Sequence, residues 1–151
     1  MRVEPQQLKN FLLDANLVKE DQFDESLKMS RETKQKIGDV LVSRGLIKHE
    51  ELAKLEAYIL GIPFVNLEKE KIDPEALKII PEPIARTHNI VSFKKRGNTL
   101  EVAMLDPDDL GTIDFIKRKA NLKILPRLTT IESIKNVLRQ YHQSLEAEFG
   151  S

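Results

Sequence analysis

Residues 8–23 read LKNFLLDANLVKEDQF, and residues 37–52 read IGDVLVSRGLIKHEEL. Laid over one another they carry one pattern. An apolar pair precedes a turn residue, Asn16 or Gly45, and a second apolar pair leads into a charged run and an apolar anchor. Leu8, Phe11 and Leu12, then Phe23 and Leu27, fall at three- and four-residue spacing, as do Ile37, Val40 and Leu41, then Leu52, Leu55 and Ile59. That is the period of helices with one buried face. Asn16 and Gly45 stand where a helix must stop, because glycine, and asparagine more weakly, tolerates the left-handed conformation there. Glu20-Asp21 and Glu50-Glu51 open the second helix of each copy with charge that suits the positive end of its dipole. The repeat is therefore a helix–turn–helix hairpin written twice, and two copies can close a small bundle. Ser30 to Gln35, SRETKQ, reads as the polar joint between them.

After Gly61 the pattern changes. IPFVNL is a short extended arm, and Asp73-Pro74-Glu75 is a helix start with a capping residue followed by proline in the first turn. PEPIARTHN makes a second short helix. IVSFKKRGNTLEVAML alternates in period two around Gly97-Asn98, the signal of a β-hairpin. DPDDLGTIDFIKRKAN is a helix ending at Asn121, and LKILPRL is a strand whose Pro126 favours an edge or an end. TTIESIKNVLRQYH is an amphipathic helix, with Thr129 and Glu132 spaced for a capping box. The expected fold is α+β: a helical bundle of two hairpin repeats over residues 1–61, then a small layered α/β unit with a short mixed sheet over residues 62–145. Residues 146–151, EAEFGS, continue no periodic pattern and read as a tail of vector origin.

Composition narrows the function. The 151 residues contain no cysteine, which excludes a disulfide framework and thiolate metal sites. Lysine plus arginine equals aspartate plus glutamate at 24 each, so no global field draws the chain to nucleic acid or anionic lipid. The charged N-terminus, interrupted by Pro5, does not resemble a signal peptide. Apolar runs such as AYILGIPFV are too short to span a bilayer. These features predict a soluble cytoplasmic protein without direct membrane insertion.

Candidate chemistry is sparse. His49, His88 and His142 include no pair at the spacing that sets two metal ligands on one helix face, and they read as surface or helix-end histidines. DPDD at Asp106 to Asp109 reads as a proline turn into an acidic helix start, and it lacks the glycine and the far bidentate acid of a calcium loop. There is no G-x-x-x-x-G-K-[ST], no G-x-G-x-x-G and no G-x-S-x-G, so catalysis is not expected of this chain. FKKRGN at the hairpin tip and KRK at Lys117 to Lys119 read as solvated hairpin and helix ends, which are commonly basic; contact with an acidic partner is the alternative, and they are too poor in aromatics for a nucleic-acid platform.

The span from Gly61 to His142 closely resembles the N-terminal domain of the ATPases of type II secretion and type IV pilus assembly. Its marks are the arm GIPFVNL, the segment IPEPIA at Ile80 to Ala85, and VAMLDPDDL at Val102 to Leu110. The helical repeats resemble the MshEN-type consensus R-L-G-x-x-L-x-x-x-G-[LVI]-[LVI]-x-x-x-x-L. The resemblance implies a non-catalytic docking and regulatory domain of an ATPase hexamer. It would tether the motor, through the cytoplasmic domain of an assembly protein, to a platform in the bacterial inner membrane, leaving the domain cytoplasmic and peripheral to that membrane. It also implies an alternative, because in part of the family the repeats bind cyclic di-GMP. On that reading Leu8, Lys9, Lys36, Ile37 and Gly38 form the site, and no other cofactor is expected. The second repeat offers Lys36-Ile37-Gly38 with Gly45, lysine standing for arginine. The first offers Gln7-Leu8-Lys9 with Asn16, without the arginine and without either glycine. A guanidinium stacks on a purine and donates two parallel hydrogen bonds, which neither an ammonium nor an amide reproduces. The sequence thus predicts a scaffold that has kept its core and lost its reader of guanine.

Overall fold

A computed structural model describes residues 2–149, with side-chain detail as far as Tyr141. The chain divides into two compact units, Met1–Gly61 and Ile62–Ser151.

In the first unit four helices form two hairpins: α1 (Pro5–Asp14) with α2 (Glu20–Thr33), and α3 (Ile37–Ser43) with α4 (His49–Leu60). Pro5 occupies the first turn of α1, where its missing N–H costs nothing, so it opens a helix and does not interrupt one. The two turns are built alike. Asn16 and Gly45 take φ of 56° and 73°. Leu17 N–H reaches back to Leu12 O at 3.0 Å, and Leu46 N–H to Leu41 O at 3.0 Å. This backward bond closes the orphan carbonyls of the helix end and tucks the following apolar pair under it. One core results, with Leu8, Leu12, Val18, Phe23, Leu41, Ile47 and Leu52 buried together. The joint between hairpins is shorter than SRETKQ suggests. α2 runs on to Thr33, Lys34 ends it in the left-handed conformation, and the Ser30 hydroxyl donates to Gln35 O at 2.6 Å.

In the second unit the order is α5 (Pro74–Leu77), α6 (Glu82–His88), β1 (Ile90–Arg96), β2 (Thr99–Met104), α7 (Leu110–Ala120), β3 (Lys123–Leu128) and α8 (Ile131–Phe149). The Asp73 side chain caps α5, accepting the Glu75 N–H at 3.1 Å. The sheet is mixed, in the order β1-β2-β3. β1 and β2 are antiparallel, from Ile90 opposite Met104 to Arg96 opposite Thr99. β2 and β3 are parallel, with Thr99 opposite Lys123. The arm joins this unit at β3, where Val65 N–H donates to Leu128 O and Leu128 N–H to Pro63 O, both at 2.9 Å. β3 is otherwise an edge, which accommodates Pro126.

Two local expectations are corrected. β1 does not alternate, since Ile90, Val91, Ser92 and Phe93 are all buried. A bulge lies between Ser92 and Lys94, and the α5 segment closes the strand's free edge. There Asp73 N–H donates to Phe93 O, and the buried Ser92 hydroxyl donates to Ala76 O at 2.5 Å. The cap of α8 is Thr130, whose hydroxyl accepts the Ser133 N–H at 3.2 Å. Thr129 is buried instead, donating to Val65 O at 2.8 Å and fixing the arm. α8 continues to Phe149, so most of EAEFGS is helical in backbone, while Gly150 and Ser151 lie outside the described residues.

Tyr141 on α8 is buried, and its hydroxyl donates to Ile80 O at 2.7 Å. Burial, and after it the charge of Glu82, push this hydroxyl well above its ordinary pKa of 10.0. The folded state therefore holds the proton more tightly than the unfolded chain. That contribution is complete below pH 10.0 and falls away as pH rises from there toward the higher folded-state value. Tyr141→Phe is expected to cost about 1–3 kcal/mol at neutral pH, because Ile80 O loses its partner. Its stability should then decline less steeply than the parent's in urea titrations carried into alkali. Parallel declines would remove the assignment.

Candidate functional site

The residues implicated in dinucleotide binding sit on the first helices of the two hairpins, and the fold gives most of them another task. Leu8 is 3% exposed and belongs to the core. Ile37 packs against that same cluster from α3. The structure therefore brings these two together as packing residues.

Lys9 and Gly38 occupy the same place in their repeats, and each faces the second helix of its own hairpin. Lys9 Nζ lies 3.0 Å from the Asp24 carboxylate on α2. That hydrogen bond, offset in part by desolvation, raises the Lys9 pKa above its usual value. At Gly38 a Cβ would stand 2.8 Å from Leu52 Cδ2, so the missing side chain leaves room for the Leu52 side chain of α4. Gly38 has a packing role that needs no ligand. Gln7, at the position where an arginine would open the motif, accepts the Glu4 backbone N–H at 3.0 Å through Oε1 and so caps α1. Lys36 is the exposed residue that precedes α3.

The sequence reading missed Arg44, which ties the two hairpins together. Its Nη1 donates to Ser26 Oγ at 2.7 Å and to Gln22 O at 3.3 Å, while Nη2 lies 3.2 Å from Glu25 Oε2. Ser26 is fully buried on α2. A serine between Phe23 and Ser30 on the apolar stripe was the available signal, since a buried hydroxyl needs a partner. Glu25 is 70% exposed and contributes little. The loss in Arg44→Met should thus come mainly from the Ser26 and Gln22 bonds, about 1.5–3 kcal/mol. Chemical denaturation of the variant reads this directly, and a loss as small as that of Glu25→Gln would contradict it.

In the second unit, DPDD forms the turn into α7. Asp106 Oδ1 accepts the Asp108 N–H at 2.9 Å. Asp109 Oδ1 accepts from Thr112 Oγ1 at 2.9 Å, and its Oδ2 lies 3.2 Å from His88 Nδ1. Thr112 Oγ1 is also 3.1 Å from His88 Nδ1, so both partners meet one ring nitrogen. This ties α6 to α7 and is not a nucleophile–base–acid relay, which engages Nδ1 and Nε2 of the imidazole with different partners. His49 begins α4, and the His142 side chain lies outside the described residues. Among the described residues no group of three or more His, Asp and Glu is placed to hold a metal, and no helix is long and apolar enough to cross a membrane.

The basic segments converge. The turn after β1, the last turn of α7 and the first residue of β3 border an open cleft of about 720 Å³, lined by Asn98, Asp114, Lys117, Arg118, Asn121 and Lys123, with Leu122 beside them. The backbone join is direct, since Lys123 N–H donates to Asn98 O at 2.8 Å.

Comparison with known proteins agrees with this architecture. The MshEN domain profile matches residues 60–148. The type IV pilus assembly ATPase PilB of Myxococcus xanthus is 26% identical over 135 residues, covering 89% of this chain and 24% of that protein. The PilB of Thermus thermophilus is 29% identical over 116 residues, covering 74% of this chain and 13% of that protein. The chain thus spans about a quarter or less of the length of these relatives. Among solved structures, MshE with cyclic di-GMP superposes with a TM-score of 0.77 at 24% identity, over 89% of this chain and 97% of that one. The N-terminal domain of XpsE gives 0.64 at 16% identity, over 92% and 96%.

Proposed function

The chain belongs to the MshEN domain family, and from that premise we propose that it is the non-catalytic N-terminal docking and regulatory domain of a type II secretion or type IV pilus assembly ATPase. In this role it holds a hexameric motor against the bacterial inner membrane through the cytoplasmic domain of an assembly protein. ATP-driven movement in a separate motor domain then passes force to the membrane platform. The domain itself stays in the cytoplasm and inserts no segment into lipid. The likeness to two pilus assembly ATPases supports the parentage.

One observation favours docking over sensing. The hairpins keep a continuous apolar interior, while Gln7 caps a helix and Lys9 pairs with Asp24. Side chains at the motif positions of the first repeat serve the scaffold. The direct test is binding of this chain to the immobilised cytoplasmic domain of the inner-membrane assembly protein encoded in the same secretion or pilus gene cluster. Saturable binding is expected, and its absence removes the docking role.

The second reading is a cyclic di-GMP sensor built on Leu8, Lys9, Lys36, Ile37 and Gly38. It is favoured by the cation and glycine that the second hairpin retains at Lys36 and Gly38, and by the shared fold with MshE.

A further inference from the structure

We propose that the cleft between the hairpin turn, the end of α7 and the start of β3 is the docking surface, and that its occupant is an acidic polypeptide segment carrying apolar side chains. The inference rests on the docking role above and assigns it a place and a chemistry.

The cleft gathers positive charge without a partner. Three cations of this unit meet carboxylates: Arg86 with Glu82 at 2.8 Å, Lys94 with Glu70 at 3.5 Å and Arg127 with Glu101 at 3.3 Å. At the cleft, Lys117, Arg118 and Lys123 are all exposed. Arg118 Nε donates at 3.4 Å to the Asp114 carbonyl and not to a carboxylate. None of the three is ion-paired among the described residues. Lys95 and Arg96, also exposed at the hairpin tip, extend the same pole. In a chain whose charges sum to zero, such a gathering is a local field that orients an acidic partner before contact.

Cations in the last turn of α7 complement its dipole, which accounts for Lys117, Arg118 and Lys119. It does not account for Lys123, which comes from a strand, nor for the concavity that the three elements enclose. The cleft, about 720 Å³ and open to solvent, has room for side chains of a bound segment. Asn98 and Asn121 add amides that donate directional hydrogen bonds to carboxylate or backbone oxygens.

The form of the cleft suits a protein and not a lipid surface. A bilayer is met by protruding cations on a flat or convex face, and each contributes through its charge alone. Here the cations surround a recess, and the Asp114 carboxylate lies in its lining. That carboxylate repels a sheet of phosphates but suits a polypeptide that offers N–H donors as well as acids. Leu122 in the lining supplies apolar contact for a side chain of the segment.

The test uses a short fluorescein-labelled peptide of alternating glutamate and leucine, its glutamine counterpart, and phosphatidylglycerol vesicles as probes. Two variants of this chain are compared: K117Q/R118Q/K123Q, and K28Q/R31Q/K34Q, which removes the same charge from α2 and its end. Circular dichroism first establishes that both are folded. The acidic peptide should bind the parent in a salt-sensitive manner, the glutamine peptide should not, and the cleft variant should bind at least about tenfold more weakly while the α2 variant stays within about twofold. Equal losses in both variants, no peptide binding by the parent, or binding of vesicles in place of peptide would each overturn the proposal. The same variants are then offered to the assembly protein's cytoplasmic domain. If the cleft variant still docks, the surface is wrong and docking stands; if the parent does not dock, docking fails and the peptide result judges the cleft alone.

Discussion

Replacing Phe23 with alanine is expected to remove about 3–5 kcal/mol from the helical unit, the range for deleting a buried aromatic side chain from a packed core. Phe23 is 1% exposed and sits with Leu8, Leu12, Val18, Leu41, Ile47 and Leu52, residues drawn from both hairpins. A void there strips contacts from each repeat at once. A small domain has only about 5–15 kcal/mol in hand, so the variant should stand close to unfolding. The reading is a urea titration, with amide exchange resolving which helices open. Protection should collapse across α1 to α4, since no hairpin has a core of its own. A loss below about 1 kcal/mol, the size of an ordinary surface change, would mean that the duplicated pattern does not build a shared interior.

In a chain carrying Gln7→Arg, Lys9→Gly, Asn16→Gly and Lys36→Arg together, cyclic di-GMP is expected to bind where the parent does not respond. The changes supply the two planar cations and the glycines of the repeat consensus that the hairpins resemble. Each guanidinium contact to the ligand contributes about 1.5–3 kcal/mol as a charge-assisted hydrogen bond. Two of them amount to roughly two to four decades of affinity at about 1.4 kcal/mol per decade. The scaffold tolerates the exchange. Lys9 gives up a pair with Asp24, itself 52% exposed and therefore screened by solvent. Glycine in place of lysine costs about 1 kcal/mol in helix propensity. Gln7 gives up the cap on Glu4 N–H. Calorimetry on the folded variant measures the outcome, and a folded variant that ignores the dinucleotide would mean that these contacts are not what the first repeat lacks.

The helical repeat was legible because its signals are local. Apolar spacing sets each buried face, and Asn16 and Gly45 mark turns that the backbone closes in the same way twice. The hairpin and the mixed character of the sheet also followed from local grammar, a turn at Gly97 and one helix before the last strand. The missed details depend on residues far apart in the chain. Thr129 was available as a helix cap until the arm arrived to take its hydroxyl through Val65 O. Ser92 breaks the alternation of β1 because α5, sixteen residues earlier at Ala76, supplies its acceptor. Arg44 reaches back to Ser26 across the joint between hairpins. At the motif positions the sequence indicated which side chains depart from the family pattern. Only the structure assigns their present work: a cap for Gln7, an ion pair for Lys9 and helix contact at Gly38.

Titration of cyclic di-GMP into the unmodified chain by calorimetry tests the central claim most directly. The account predicts no heat of binding at tens of micromolar dinucleotide. A saturable isotherm in that range, abolished by Lys36→Ala, would contradict it and make the hairpins a sensor.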